Sequence, residues 1–159
     1  MSVTFTPDPA DSPEAIDCLH SYFAELQRRF PGGFDPGATI SADPIEVTPP
    51  NGQFLLLRVD GMARGCGAVK SLGDGIGELK RMWLHPSLRG QGAGKKLLAA
   101  LEAEALKLGF HTVRLDTSAH LDEALALYRG AGYREIPPYN DNRYAAHWFE
   151  KTLGLLWQA

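Results

Sequence analysis

LHPSLRGQGAGKKLL, residues 84 to 98, sets three glycines and three cations just before a run of leucines. Glycines let a backbone approach an anion closely, and the exposed amides of a helix start can cradle a phosphate. Arg89, Lys95 and Lys96 add positive charge, and no acidic residue stands between Lys80 and Lys96. The stretch therefore reads as a local anion site that opens a helix. It does not read as a P-loop, which needs GxxxxGK followed by Ser or Thr. Gly94-Lys95 is followed by Lys96, and the position five before Gly94 is Arg89. A dinucleotide fingerprint would read GxGxxG near the first strand, whereas Gly90, Gly92 and Gly94 make GxGxG after several strands.

Working outward, GKKLLAALEAEALKLG places Leu97, Leu98, Leu101, Ala105 and Leu108 at helical spacing, with Gly109 as a stop. Upstream, GIGELKRMWL is a strand candidate entered by a glycine-rich turn, and QFLLLRVDGMARGCGAVKSL is a hairpin turning at Asp60-Gly61. On strict alternation Glu78, Lys80, Met82 and Leu84 share one face, unless a bulge changes the register. An opening strand is expected around Val3 to Thr6. A helix should follow from Ser12 as cap and Pro13 in the first turn, with Ile16, Leu19, Phe23, Leu26 and Phe30 on its inner face. Five prolines between residues 31 and 52 suit an irregular crossing. Downstream, HTVRLDT, HLDEALALYRGAG, YREI and RYAAHWFEKTL read as strand, short helix, strand and closing strand. The order predicts a mixed α/β fold, one domain over residues 1–159.

At 159 residues and 44% hydrophobic content the chain matches one ordinary domain with a sizeable core. A formal charge of −3 and a pI near 5.9 argue against broad attraction to nucleic acid. Neither a long apolar span nor a secretory leader is evident, so no membrane partner and a cytoplasmic location are the expectation. Cys18 and Cys66 are expected as reduced, buried thiols, and the scattered histidines include no HExxH, so no metal is expected.

RGQGAG also resembles the acyl-CoA signature (Q/R)xxGx(G/A) of the GNAT superfamily of N-acetyltransferases, with Arg89, Gly92 and Gly94 on its defining positions. ELKRMWLHPSLRGQGAG is similar to that superfamily's fourth strand, proline turn and following helix start, and EALALYRGAGYREI to its later helix with Leu-Tyr. IPPYNDNRYAAHWFEK resembles the tail of bacterial small acetyltransferases. The resemblance covers roughly residues 50 to 151. It implies the GNAT acyl-CoA N-acyltransferase fold: a twisted central sheet flanked by helices, whose fourth and fifth strands splay apart. It implies acetyl-CoA as cosubstrate. The pyrophosphate would sit on Arg89, Gly90, Gln91, Gly92, Ala93, Gly94 and Lys95, and the pantetheine arm along Met82, Trp83 and Leu84.

The same resemblance implies a primary-amine acceptor that attacks the thioester directly. Tyr128 matches the tyrosine that faces the sulfur and is the expected general acid. Glu78 lies where relatives place a carboxylate and is the expected base. His85, His120 and His147 are weaker candidates for proton transfer. Leu121 stands where many members have an Asn that touches the arm, and Arg143 follows Asn142 where the bacterial subgroup often has Pro. Arg143 reads as solvent-facing, with a substrate carboxylate as its alternative partner. A small-molecule amine or amino-acid-like acceptor is the first expectation. A peptide or protein amino terminus and a non-catalytic acyl-CoA sensor are the alternatives. Exposed sheet edges and the apolar tail LGLLWQA admit a homodimer.

Overall fold

The structure, a computed structural model, describes residues 2–36 and 42–154. Seven strands build one sheet: β1 (Val3–Pro7), β2 (Gly52–Val59), β3 (Met62–Gly73), β4 (Ile76–Leu84), β5 (Thr112–Thr117), β6 (Arg134–Ile136) and β7 (His147–Thr152), in the order β1-β2-β3-β4-β5-β7-β6. Three helices cover it: α1 (Pro13–Arg29), α2 (Ala93–Lys107) and α3 (Asp122–Gly130). β1 to β4 form an antiparallel meander, and β5 adds parallel to β4. The β2–β3 turn falls at Asp60-Gly61, as the pair predicts, because both residues take the positive φ that a two-residue hairpin needs. The next turn is equally tight, at Asp74-Gly75.

α1 starts as its sequence dictates: the Ser12 side chain accepts from the Ala15 amide, and Pro13 occupies the first turn. Ser12→Ala should cost about 1 kcal/mol, read as a lower urea midpoint with unchanged slope. Leu26 and Phe30 are buried as expected, but at the start of the helix the stripe is rotated, since Ile16 is exposed while Ala15 and Cys18 are buried. Ala15 and Cys18 meet Phe54, Leu56, Cys66 and Trp83 on one face of the sheet. On the other face Leu97, Leu98 and Leu101 of α2 meet Leu55, Val69 and Leu115, each buried leucine stabilising by about 1.5–3 kcal/mol. Both cysteines are free and buried on the α1 side. The closing strand begins only at His147, because Asn140 and Asn142 side chains bind backbone amides and hold the preceding segment as a loop.

Two irregularities position the site. β4 and β5 pair only at Ile76↔Thr112, Gly77↔Val113 and Glu78↔Arg114, and then separate. β4 also carries one extra residue opposite β3: Cys66 pairs with Trp83 but Ala68 pairs with Lys80, and Arg81 between them has φ 59°. The bulge breaks the strict alternation. Met82 and Leu84 pack with the α2-side core, as Leu79 does, while Trp83 packs with the α1-side core.

No helix among the described residues is long and apolar enough to cross a membrane. Residues 155–159, most of the tail linked to a dimer, lie outside the described residues.

Candidate active site

The gap between β4 and β5 opens two cavities that meet. The larger, about 350 Å³, runs from Met82, Trp83 and Leu84 to the glycine loop and the start of α2. The smaller, about 110 Å³, lies between α1, β4, β5 and the loop before β7. Tyr22, Leu26, Met82, Leu121, Ala124 and Tyr128 line both.

The glycine loop holds left-handed backbone at two positions. Gly90 and Gly92 take φ of 77° and 80°, a region L-residues rarely enter, and a Cβ at either would meet nothing within 4 Å. Gly92 caps α2 without a side-chain hydrogen bond. The first-turn amides of Ala93, Gly94 and Lys95 have no intrahelical acceptor and carry the positive end of the helix dipole. Beside β5, the backbone edge of β4 beyond Glu78 has no strand partner among the described residues, so an extended chain could add to it. Two arginines on the rim are paired: Arg89 binds Glu25 and the Leu84 carbonyl, and Arg29 binds Glu123. The cavity offers backbone donors at one end and apolar wall between, which suits a phosphorylated thioester carrier.

A family model for the acetyltransferase (GNAT) family matches residues 19–133. The chain belongs to the GNAT family of acetyltransferases. This acetyltransferase is 36% identical to the IAA acetyltransferase of Azospirillum brasilense over 124 residues, 77% of this chain and 81% of that one. It superposes with a TM-score of 0.78 on an acyl-CoA N-acyltransferase structure from Klebsiella pneumoniae, at 33% identity over 96% of this chain and 98% of that one. An acetyltransferase from Elizabethkingia anophelis with acetyl-CoA bound shares the fold, with a TM-score of 0.65, 18% identity and coverage of 95% and 98%. The acetyl donor of the GNAT acetyltransferase is acetyl-CoA.

Of the residues that the sequence points to, Met82, Trp83, Leu84, Arg89, Gly90, Gly92, Ala93, Gly94 and Lys95 line the larger cavity. Gln91 does not; its amide donates to the Ser87 carbonyl at 2.7 Å and braces the turn. Tyr128 sits where the cavities meet, its hydroxyl 3.6 Å from Met82 Sδ. Burial holds that hydroxyl above the usual tyrosine range. The neighbouring Tyr22 hydroxyl is pushed up to about 12, again by burial, with Arg81 opposing.

Glu78 is nearly fully buried and lines neither cavity. Its Oε2 accepts from the Tyr139 hydroxyl at 2.6 Å, and its Oε1 lies 3.5 Å from Lys80 Nζ without a hydrogen bond. Lys80 is on the cavity wall, where burial holds its ammonium below the usual lysine range. His85 caps the short turn at Pro86–Leu88, His120 lies against Phe30 and His147 contacts Glu135; none lines either of these two cavities. Arg143 is exposed over the Tyr144 ring.

Sequence reasoning missed Arg81 and Asp116, which face the smaller cavity. Asp116 accepts from Asn140 Nδ2 at 2.8 Å and Asn142 Nδ2 at 3.2 Å. An acid inside the apolar alternation of HTVRLDT was the available signal.

Proposed function

We propose that this acetyltransferase moves the acetyl group of acetyl-CoA onto the primary amine of a small or amino-acid-like acceptor by direct attack on the thioester. The observation that carries the reading is the meeting of the two cavities at Tyr128. The larger one takes the donor: backbone amides from Arg89 to Lys95 hold the pyrophosphate, and Met82, Trp83 and Leu84 flank the arm. Leu121 lines its path and contributes apolar contact without a polar bond.

The smaller cavity takes the acceptor. It has about a third of the other's volume and is walled in part by Phe30, Phe34 and Tyr144, a size better matched to a small molecule than to a protein segment. The acceptor nitrogen, once neutral, attacks the carbonyl carbon; the C–N bond forms and the C–S bond breaks. Tyr128 donates its proton to the departing sulfur, and Asp116, on the cavity wall, receives the proton that the nitrogen releases. Glu78 is set one residue behind the wall, so its contribution passes through Lys80. A tyrosine held protonated by burial is suited to be the acid, because the form that donates persists above its ordinary range.

That shift has a sign. With its pKa raised, Tyr128 keeps its proton past about pH 10, the usual tyrosine value. The kcat profile of the wild type should rise as acceptor amines lose their protons and show no alkaline fall up to that pH. A tyrosine-like decline starting a unit or more below it would speak against Tyr128 as acid.

Measuring coenzyme A release with a panel of small amines, amino acids and peptides tests the reading. Turnover only with peptides would favour the amino-terminal alternative. Tight acetyl-CoA binding with no amine-stimulated thioester cleavage would favour a sensor.

A further inference from the structure

The smaller cavity is lined by one cation and one anion that make no ion pair among the described residues. Arg81 makes no ion pair among the described residues; its guanidinium lies over the Phe23 ring, 5.1 Å from the centroid. Asp116 is bound by two neutral amide side chains and likewise makes no ion pair among the described residues. They stand on the two strands that diverge, Arg81 on β4 and Asp116 on β5, and both face the cavity. Lys80 beside them is already matched to Glu78.

The bulge is what places the cation. In regular alternation residue 81 would turn with Leu79 into the core packed by α2. The left-handed conformation of Arg81 keeps its side chain on the α1 side instead. Such a conformation costs about 1–2 kcal/mol in an L-residue and persists where surrounding structure holds it. One part of the wall is an aromatic cluster: Phe34 and Tyr144 have centroids 4.6 Å apart, and Phe30 lies 5.6 Å and 5.5 Å from them.

We propose, resting on the acetyltransferase reading above, that the acceptor is a free α-amino acid with an apolar side chain, bound through its carboxylate by Arg81, through its amino group by Asp116 and through its side chain by the Phe30–Phe34–Tyr144 wall. A planar guanidinium can grip a carboxylate with two parallel hydrogen bonds, which a neutral amide in its place cannot match. The ammonium enters opposite Asp116 and loses one proton to solvent. The neutral nitrogen then forms its bond to the acetyl carbon beside Tyr128 and gives its second proton to Asp116. Tyr128 protonates the sulfur and regains a proton from Asp116 through solvent. The products are the N-acetyl amino acid and coenzyme A thiol, with no other reactant needed.

The test compares near-identical acceptors on the whole protein. Coenzyme A release is measured with L-phenylalanine, L-phenylalaninamide, phenethylamine, L-leucine, L-glutamate and L-lysine, alongside direct titration of acetyl-CoA. Wild type should prefer L-phenylalanine to its amide and to phenethylamine by about 10-fold or more in kcat/KM, since a site built for a charged partner rejects analogues that lack it. L-leucine should be accepted, and L-glutamate and L-lysine should fall behind. In Arg81→Gln the preference for the acid over the amide should collapse towards unity, mainly through KM, and Arg81→Lys should restore part of it. If the variants fail to fold, the wild-type preference alone decides.

Equal turnover of acid, amide and amine, or a preference for the charged side chains, overturns this inference and leaves small-amine acetylation standing. Thioester cleavage with none of the acceptors, despite acetyl-CoA binding, removes both. An unchanged preference in a folded Arg81→Gln removes Arg81 from carboxylate recognition.

Discussion

Replacing Gly92 by Asp is expected to weaken acetyl-CoA binding by about 100-fold or more. Gly92 lines the larger cavity, caps α2 with φ 80°, and leaves open space where a side chain would project. If the pyrophosphate lies on this loop as proposed, a carboxylate there would face it. At surface-like screening the repulsion from each phosphate charge is about 2–4 kcal/mol, which converts to a loss of roughly 30- to 1000-fold. The left-handed backbone adds about 1–2 kcal/mol of strain to the folded state, which Asp and Asn tolerate better than other residues. Gly92→Asn is therefore the control: it has nearly the same shape and strain without the charge, and it should lose much less affinity. Calorimetric titration of both variants, after circular dichroism shows that they fold, separates charge from strain. A folded Gly92→Asp with wild-type affinity would place the phosphates elsewhere.

Tyr128→Phe is expected to lower kcat by about 100-fold, the lower end of what a positioned general acid supplies, while acetyl-CoA affinity stays within about twofold. The ring is packed against Tyr133 and Phe149, with centroids 5.9 Å and 6.1 Å away, and Phe preserves those contacts. What disappears is a hydroxyl whose contact is Met82 Sδ, a weak acceptor, so the stability cost should stay below about 1 kcal/mol. Affinity and stability thus act as internal controls on the rate. A loss confined to kcat, with the donor bound normally, identifies a group that acts on the leaving sulfur. Wild-type rates throughout the pH range would reduce Tyr128 to a wall residue. An increase in the acetyl-CoA dissociation constant equal to the fall in rate would make it a binding contact instead.

The glycine loop was legible because its signal is local. Gly90 and Gly92 must be glycine to hold positive φ, and the cations and helix that follow are contiguous with them. The same holds for Ser12 and Pro13 at the start of α1 and for Asp60-Gly61 in its hairpin, where each residue acts on its own backbone. Ile16 shows where this kind of reading fails. Helical spacing gives an apolar face only to within one residue, and the sheet beneath α1 selected Ala15 and Cys18 while leaving Ile16 outside. Gln91 fits the loop's pattern equally well, yet its side chain bonds backward to Ser87 and leaves the cavity wall.

The lining of the smaller cavity was decided in space. Whether Arg81 faces the core or the cavity depends on the register of β4 against β3, a pairing across the hairpin that no property of residue 81 encodes. Glu78 and Asp116 are both acids on strands, and only the divergence of β4 from β5 leaves one behind the wall and the other upon it. By itself the sequence determined the class of fold and the glycine turn that opens α2, because those depend on backbone conformations and spacings set within a few residues, and resemblance to the family pointed to Tyr128. The tertiary structure alone decided which charges line the smaller cavity, because that depends on which of two faces a strand turns and on how far two strands separate.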